Sequence, residues 1–308
     1  MQEILRLFPN EIQYGIQTKL ENRWDKLQEI RLRLNQPIEF IFDDGVEWLH
    51  TFKPSRKDGM YMVNQLSEFS LYRLEDELRE GYITIEGGHR VGLSGKVNTL
   101  GGSVKAIQHI SFLNIRIAKQ KIGVAKSIIP YLYERKYLST LFVGAPQSGK
   151  TTLIRDITRI IASGWKNVSP RKVGVIDERS EIAASIKGIP QHDVGIRTDV
   201  MDACPKAEGM MMMVRSMSPE ILVVDEIGSE KDVEALLEAI NAGVVVICTI
   251  HGQSLDELKK RPSIQPLLQH RVFKRIILLD NNRNPGMVHK VYNEKEENIL
   301  LKTGVLTR

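Results

Sequence analysis

The stretch that most constrains this chain is Thr140-Leu141-Phe142-Val143-Gly144-Ala145-Pro146-Gln147-Ser148-Gly149-Lys150-Thr151-Thr152. An apolar run enters a turn that carries two glycines. Beyond the turn, Leu153, Ile154, Ile157, Ile160 and Ile161 recur at helical spacing as far as Ser163. A strand, a glycine turn and an amphipathic helix are therefore predicted in that order. From Gly144 to Thr151 the spacing is G-x-x-x-x-G-K-T, and strand before, helix after is the context a phosphate-binding loop requires. Gly144 and Gly149 allow backbone conformations closed to residues with a Cβ. The N–H groups of the loop then converge on a phosphate, and the helix N-terminus adds partial positive charge. Gly144, Ala145, Pro146, Gln147, Ser148, Gly149, Lys150, Thr151 and Thr152 form the expected cradle. Lys150 is expected to reach the β- and γ-phosphates of ATP, and the Thr151 hydroxyl to ligate Mg²⁺.

A second element fits the first. Ile221-Leu222-Val223-Val224-Asp225-Glu226 is four apolar residues ending in two carboxylates, the form of a Walker B strand. Asp225 at the strand end is expected to support Mg²⁺, and Glu226 to orient and deprotonate the attacking water. Lys172 to Asp177 is another strand ending in acids, with Glu178 and Glu181 beyond it. Ligands of an open α/β sheet sit at the carboxyl ends of its strands, so Asp177, Glu178 and Glu181 are expected to face the same pocket. Val244 to Thr249 is a third buried strand and leads into Ile250 and His251. Thr249 and His251 share one face of an extended chain and are candidate polar sensors of the γ-phosphate.

The rest of the chain sorts around these strands. Strands are predicted at 140–144, 172–177, 221–225, 243–250 and 272–279, with helices at 151–163, 205–217 and 231–241. That alternation is the α/β signature, a largely parallel sheet with helices on both faces. Near-continuous apolar strands fit burial on both faces. The run Met210-Met211-Met212-Met213 reads as adaptable packing. Residues 116–308 are thus read as the catalytic domain. Residues 1–115 form a separate α+β domain, with charged and apolar residues alternating over Glu29–Leu34, a turn at Asp43-Asp44-Gly45, a helix over 55–80 and short strands around Gly87-Gly88 and Gly101-Gly102. Ser111 to Ala118 is expected to cross between the two. His89 and His109 are expected to be turn or surface imidazoles. A strand, a charged turn and a last strand are expected from Lys290 to Leu306.

Composition excludes little. With 308 residues and 42% hydrophobic content, about two domains with real cores are expected. The formal net charge of +5 argues weakly for any anionic partner. Cys204 and Cys248 have no metal-ligand spacing, which fits a reducing compartment. The N-terminus lacks the apolar core of a secretory signal, and Ala242–Ile250 is too short to span a bilayer. No basic stretch is interleaved with aromatics for single-strand stacking, so no nucleic acid is expected.

Several motifs together resemble one family. Residues 140–252 are similar to the secretion ATPases of bacterial type II and type IV systems, including pilus retraction motors. Ile176 to Glu181 resembles that family's acidic box. Met213-Val214-Arg215-Ser216-Met217-Ser218-Pro219-Glu220-Ile221 resembles its lead into Walker B, and Asn241-Ala242-Gly243 with Thr249-Ile250-His251 resembles its histidine box. One departure is Asp225, where those motors usually carry glycine before the glutamate. This leaves the water activated either by Glu226 or by the Asp177 and Glu178 box. Glu29-Ile30-Arg31-Leu32-Arg33, Gly88-His89-Arg90-Val91-Gly92 and Asp177 to Ala183 extend a still closer similarity, over the whole chain, to a family of stage III sporulation proteins of endospore-forming bacteria.

The resemblance implies a RecA-like P-loop ATPase core with a smaller α+β N-terminal domain. It implies a hexameric ring working in the mother cell, on the cytoplasmic side of a channel to the forespore, with membrane proteins of the same operon as partners. It also implies a nucleotide held between domains and near a neighbouring subunit, with Arg116 as the arginine near the phosphates. Arg90, Arg197 and Arg215 are further candidates. Closure of the N-terminal domain on ATP would then be the power stroke. A nucleic-acid motor of the same fold, and a scaffold that binds ATP without turnover, are the alternatives.

Overall fold

In a computed structural model, residues 1–67, 81–100, 103–280 and 285–300 are described. Phe69, Leu71, Leu74 and Leu78 of the predicted 55–80 helix lie outside these residues, as does the stretch from Leu301 to Leu306. The chain divides into two compact units, Met1–Lys119 and Gln120–Arg308.

In the first unit, helices α1 (Gln2–Leu5), α2 (Asn10–Leu20) and α3 (Arg56–Leu66) cover one face of an antiparallel sheet. Its strands are β1 (Leu27–Arg33), β2 (Ile38–Phe42), β3 (Gly45–Leu49), β4 (Tyr82–Ile85), β5 (His89–Leu100) and β6 (Ser103–Arg116). Among the described residues their order is β3-β2-β1-β6-β5-β4. The alternation seen in the sequence explains the layering. Ile30, Leu32, Phe40, Val91, Leu93, Leu113 and Ile115 point into one core, with Ile12, Ile16 and Met62 from the helices, while Glu29, Arg31 and Arg33 face the other way. A reciprocal capping box between Ser55 and Asp58 starts α3. Residues 111–116, expected to cross between domains, belong to β6 and pair with both β1 and β5.

His89 is not the surface imidazole its turn sequence suggests. It is 3% exposed. Its Nδ1 accepts the Ala118 N–H at 2.9 Å, and its Nε2 faces Glu3 Oε1 at 3.2 Å. These partners require a neutral ring with its proton on Nε2. Burial pushes the ring's pKa below its ordinary value, against the pull of Glu3. The residue ties the N-terminal helix to the end of this unit, a contact 86 positions apart that no local pattern announces.

The second unit is a seven-stranded sheet among the described residues: β7 (Thr140–Gly144), β8 (Val173–Asp177), β9 (Thr198–Asp202), β10 (Ile221–Val224), β11 (Val245–His251), β12 (Arg275–Leu279) and β13 (Val288–Asn293). Its order is β13-β12-β7-β11-β10-β8-β9, parallel except for β13. Helices α4 (Ile129–Leu132), α5 (Lys150–Ser163), α6 (Lys206–Met217), α7 (Glu230–Asn241), α8 (Leu255–Lys259) and α9 (Gln265–Gln269) complete it. Two cores form, one on each face. Phe142, Val223 and Ile247 join the α5 residues Leu153, Ile154 and Ile157. Leu141, Val143, Leu222, Val224, Val246 and Cys248 join Met210, Met213, Val233 and Leu236 of α6 and α7. Every residue of β7 and β10 is buried, which is why these strands read as unbroken apolar runs. Met210 and Met213 are core, whereas Met212 is exposed. Strand β9 was not predicted, because Thr198-Asp199-Val200-Met201-Asp202 is half-exposed at the sheet edge.

Candidate nucleotide site

Parallel pairing brings the carboxyl ends of β7, β11, β10 and β8 to one edge of the sheet. The β11–β7 register sets His251 beside Gly144. The β10–β11 register sets Val224 beside Cys248, so Asp225 follows beside Thr249. Three segments far apart in sequence therefore meet through backbone pairing alone.

The loop leaving β7 is tightly specified. A Cβ at Gly144 would lie 2.4 Å from Ser148 Oγ and 3.2 Å from Ser148 Cβ, so the loop folds back closely over this glycine. Gly149 takes φ +88 at the N-cap of α5, a left-handed conformation costly for other residues. Lys150 is 6% exposed. Its ammonium donates to the carbonyls of Gly144 and Ala145, each at 2.8 Å, and to His251 Nδ1 at 3.2 Å. Burial lowers its pKa, while the charges of Glu226 and Asp225 oppose that shift. His251 Nε2 lies 2.8 Å from Glu226 Oε1. With Nδ1 accepting from an ammonium, Nε2 carries the proton and donates to the carboxylate. Lys150, His251 and Glu226 thus form one hydrogen-bonded line across the strand ends.

Asp225 lies deeper. The Thr249 hydroxyl donates to its Oδ1 at 3.0 Å, and the Glu226 N–H is shared between Asp225 Oδ1 and Thr249 Oγ1, 3.0 Å from each. Thr249 is fully buried. Burial raises the Asp225 pKa, and the nearby charges of Glu181 and Asp177 add to the effect. A carboxylate crowded by negative charge in a dry setting is relieved by a cation. The donor set therefore suits Mg²⁺, which favours one or two protein oxygens completed by phosphates and water over a full protein cage. Asp225 and Thr151 are the residues that would hold it. Among the described residues no group of three His, Cys, Asp or Glu forms a metal cage.

The acidic stretch after β8 divides its labour. Asp177 is fully buried. Its Oδ1 accepts the Glu181 N–H at 2.7 Å, and its Oδ2 accepts those of Ile182 and Ala183 at 3.0 and 2.8 Å. Its carboxylate caps its own loop and is not turned to an open pocket. Glu178 pairs with Lys206 in the first turn of α6. From α5, the buried Arg155 reaches the same loop, its Nε donating to the Ile182 carbonyl at 2.6 Å and its Nη2 to that of Glu181 at 2.5 Å. Nothing in the local pattern singled out Arg155. Asp177→Ala should lower unfolding stability by roughly 2–4 kcal/mol, because three buried donors lose their acceptor. Urea unfolding of the variant checks this, and wild-type stability would refute it.

Two of the candidate arginines are cross-strand neighbours in the first unit, and two belong to the second. Arg116 ends β6 in the first unit, with its side chain 65% exposed and its Nε 3.9 Å from Glu29 Oε1. Arg90 pairs in register with Arg116 and stacks on Tyr82 with its guanidinium carbon 4.9 Å from the ring centroid. Arg197 donates to the Pro170 carbonyl at 2.7 Å. Arg215 is exposed in the last turn of α6.

The glycine loop with its buried lysine leaves one central strand of a largely parallel sheet, two strands from the one that leads into Asp225 and Glu226, and the second unit has a RecA-like α/β fold. Two solved structures share this fold. The pilus retraction motor PilT with bound ADP superposes with a TM-score of 0.60 at 17% identity, covering 85% of this chain and 77% of that one. The Legionella pneumophila ATPase DotB superposes with a TM-score of 0.58 at 16% identity, covering 89% and 76%. The chain belongs to the family described as "Sporulation stage III, protein AA", which it matches over residues 1–299. It is 48% identical to the stage III sporulation protein AA of Bacillus subtilis (strain 168) along the full length of both. It is 26% identical to the uncharacterized protein ycf45 of Porphyra purpurea over 87% of this chain and 43% of that one.

Proposed function

We propose that this protein is an ATP-hydrolysing motor of the secretion-ATPase type, which powers assembly of, or transport through, a channel between mother cell and forespore during sporulation. The observation that carries the reading is the line of Lys150, His251 and Glu226 beside Asp225, all at the strand ends around the glycine loop. The loop amides and Lys150 bind the phosphates. Thr151 and Asp225 would hold Mg²⁺, which would supply positive charge to the phosphate oxygens. Arrival of the triphosphate draws the Lys150 ammonium from the carbonyls of Gly144 and Ala145 towards stronger, anionic acceptors. His251, without a donor on Nδ1, then carries its proton there in the other neutral tautomer, so that Nε2 no longer donates to Glu226 and the carboxylate takes a proton from the attacking water. Glu226 is preferred to Asp177 and Glu178 as the base, since those two carboxylates are engaged by backbone donors and by Lys206.

The motor acts as a ring, probed first as a hexamer, held at the cytoplasmic face of the membrane by proteins of the same sporulation channel. No helix among the described residues is long and apolar enough to cross a membrane. Arg116 supplies positive charge to the phosphates within that ring. Phosphate release measured against protein concentration, beside mass by light scattering, tests the proposal. Turnover per chain should rise as assembly proceeds. ATP binding without turnover at every assembled mass, with channel proteins added, would replace the motor by a nucleotide-dependent scaffold. Stimulation by DNA would favour a nucleic-acid motor.

A further inference from the structure

The glycine loop is backed by a second backbone segment that belongs to neither nucleotide motif. Pro285 and Gly286, which precede β13, lie against the loop. A Cβ on Gly149 would lie 2.5 Å from Gly286 N and 3.0 Å from both Gly286 Cα and the Pro285 carbonyl carbon. The Gly286 N–H donates to the Ser148 carbonyl at 2.7 Å. One residue further on, the Met287 carbonyl accepts the Asp280 N–H at 2.8 Å. Strand β12 pairs directly with β7 from Arg275 beside Thr140 to Leu278 beside Val143. The segment is thus built into the same sheet as the loop it touches.

The consequence follows from peptide geometry. In a planar trans peptide the C=O and the following N–H point in opposite directions. A donor that holds the Ser148 carbonyl on one side therefore aims the Gly149 N–H to the other. Gly149 has no Cβ to restrict its φ, so local sterics alone do not fix the orientation of the Ser148–Gly149 peptide. We propose that Gly286 is a positioning residue for nucleotide binding: its N–H locks the Ser148–Gly149 peptide so that the Gly149 N–H faces the phosphate cradle. The proposal rests on the nucleotide reading of that loop. It also explains why Gly286 is glycine. Its φ is +90, and the nearest atom to a Cβ there is Leu153 Cγ at 3.9 Å. Space is available, so backbone conformation alone demands the residue.

Gly286→Ala therefore strains φ without creating a clash and should swing the N–H away from Ser148. ADP affinity measured by calorimetry should fall about ten-fold, the loss of roughly one well-placed hydrogen bond. Asparagine tolerates left-handed backbone better than alanine, so Gly286→Asn should restore part of the loss. In ¹⁵N-resolved spectra of the wild type, the Gly286 amide should be protected from solvent exchange, and the Gly149 amide should shift on adding ADP. Equal ADP affinity in folded Gly286→Ala overturns the proposal. So does a wild-type Gly286 amide that exchanges freely while β12 amides are protected, a readout that holds even if the variant does not fold. A wild type that takes up neither ATP nor ADP overturns the nucleotide reading itself and is recognised before any variant is made.

Discussion

Lys150→Ala is expected to abolish ATP hydrolysis. Lys150 is 6% exposed, and burial lowers its pKa. In that setting a positive charge on the β- and γ-oxygens acts through a lower dielectric than in solvent and counts for more. Removing one such preorganised donor typically costs about 10²–10³ in kcat. The substitution also removes a cationic donor to the phosphates, so nucleotide affinity should fall together with turnover. The measurement is phosphate release at saturating Mg-ATP, with thermal unfolding run in parallel to show that the variant is folded. Wild-type turnover in folded Lys150→Ala would sink the assignment of this loop.

Glu226→Gln should separate binding from chemistry. Glutamine keeps the shape of the side chain and can still accept from His251 Nε2, now 2.8 Å from Glu226 Oε1. It cannot take a proton from water. Loss of a general base costs about 10²–10⁴ in rate, whereas contacts to the phosphates are unchanged. Calorimetry should therefore show ATP bound as in the wild type, and phosphate release should be almost absent. Should turnover persist in Glu226→Gln and vanish only in Glu178→Gln or Asp177→Asn, the base belongs to the acidic stretch after β8. The Asp177 variant must be read with its stability in hand, because that carboxylate holds three backbone N–H groups of its own loop.

The two assignments differ in how they were reached. Lys150 is legible from spacing, since two glycines, a lysine and a threonine between an apolar strand and an amphipathic helix serve a phosphate-specific geometry. The pairing of Glu226 with His251 is not legible, because 25 positions separate them and only the β10–β11 register brings them together. Asp177 shows the limit most clearly. From sequence it has the same standing as Asp225, an acid at the end of a buried strand. In the fold it is a loop cap, because residues 181–183 turn back over it. The burial of His89 is hidden for a similar reason, since its partners Glu3 and Ala118 are remote in sequence. Pro285-Gly286 carries a visible turn signal, but that signal says nothing of the loop against which the turn packs.

What the amino-acid order determined unaided is whatever depends on neighbours along the chain. The buried strands, the amphipathic helices, the glycine turn and its lysine all follow from periodicity, from the backbone freedom of Gly149 and from the close approach at Gly144. What only the tertiary structure decided is which polar groups remain available for chemistry. That depends on strand order and register, which set His251 beside Gly144, Asp225 beside Thr249 and Gly286 against Ser148. A carboxylate becomes a cap or a candidate base according to which donors the folded backbone brings within about 3 Å of it.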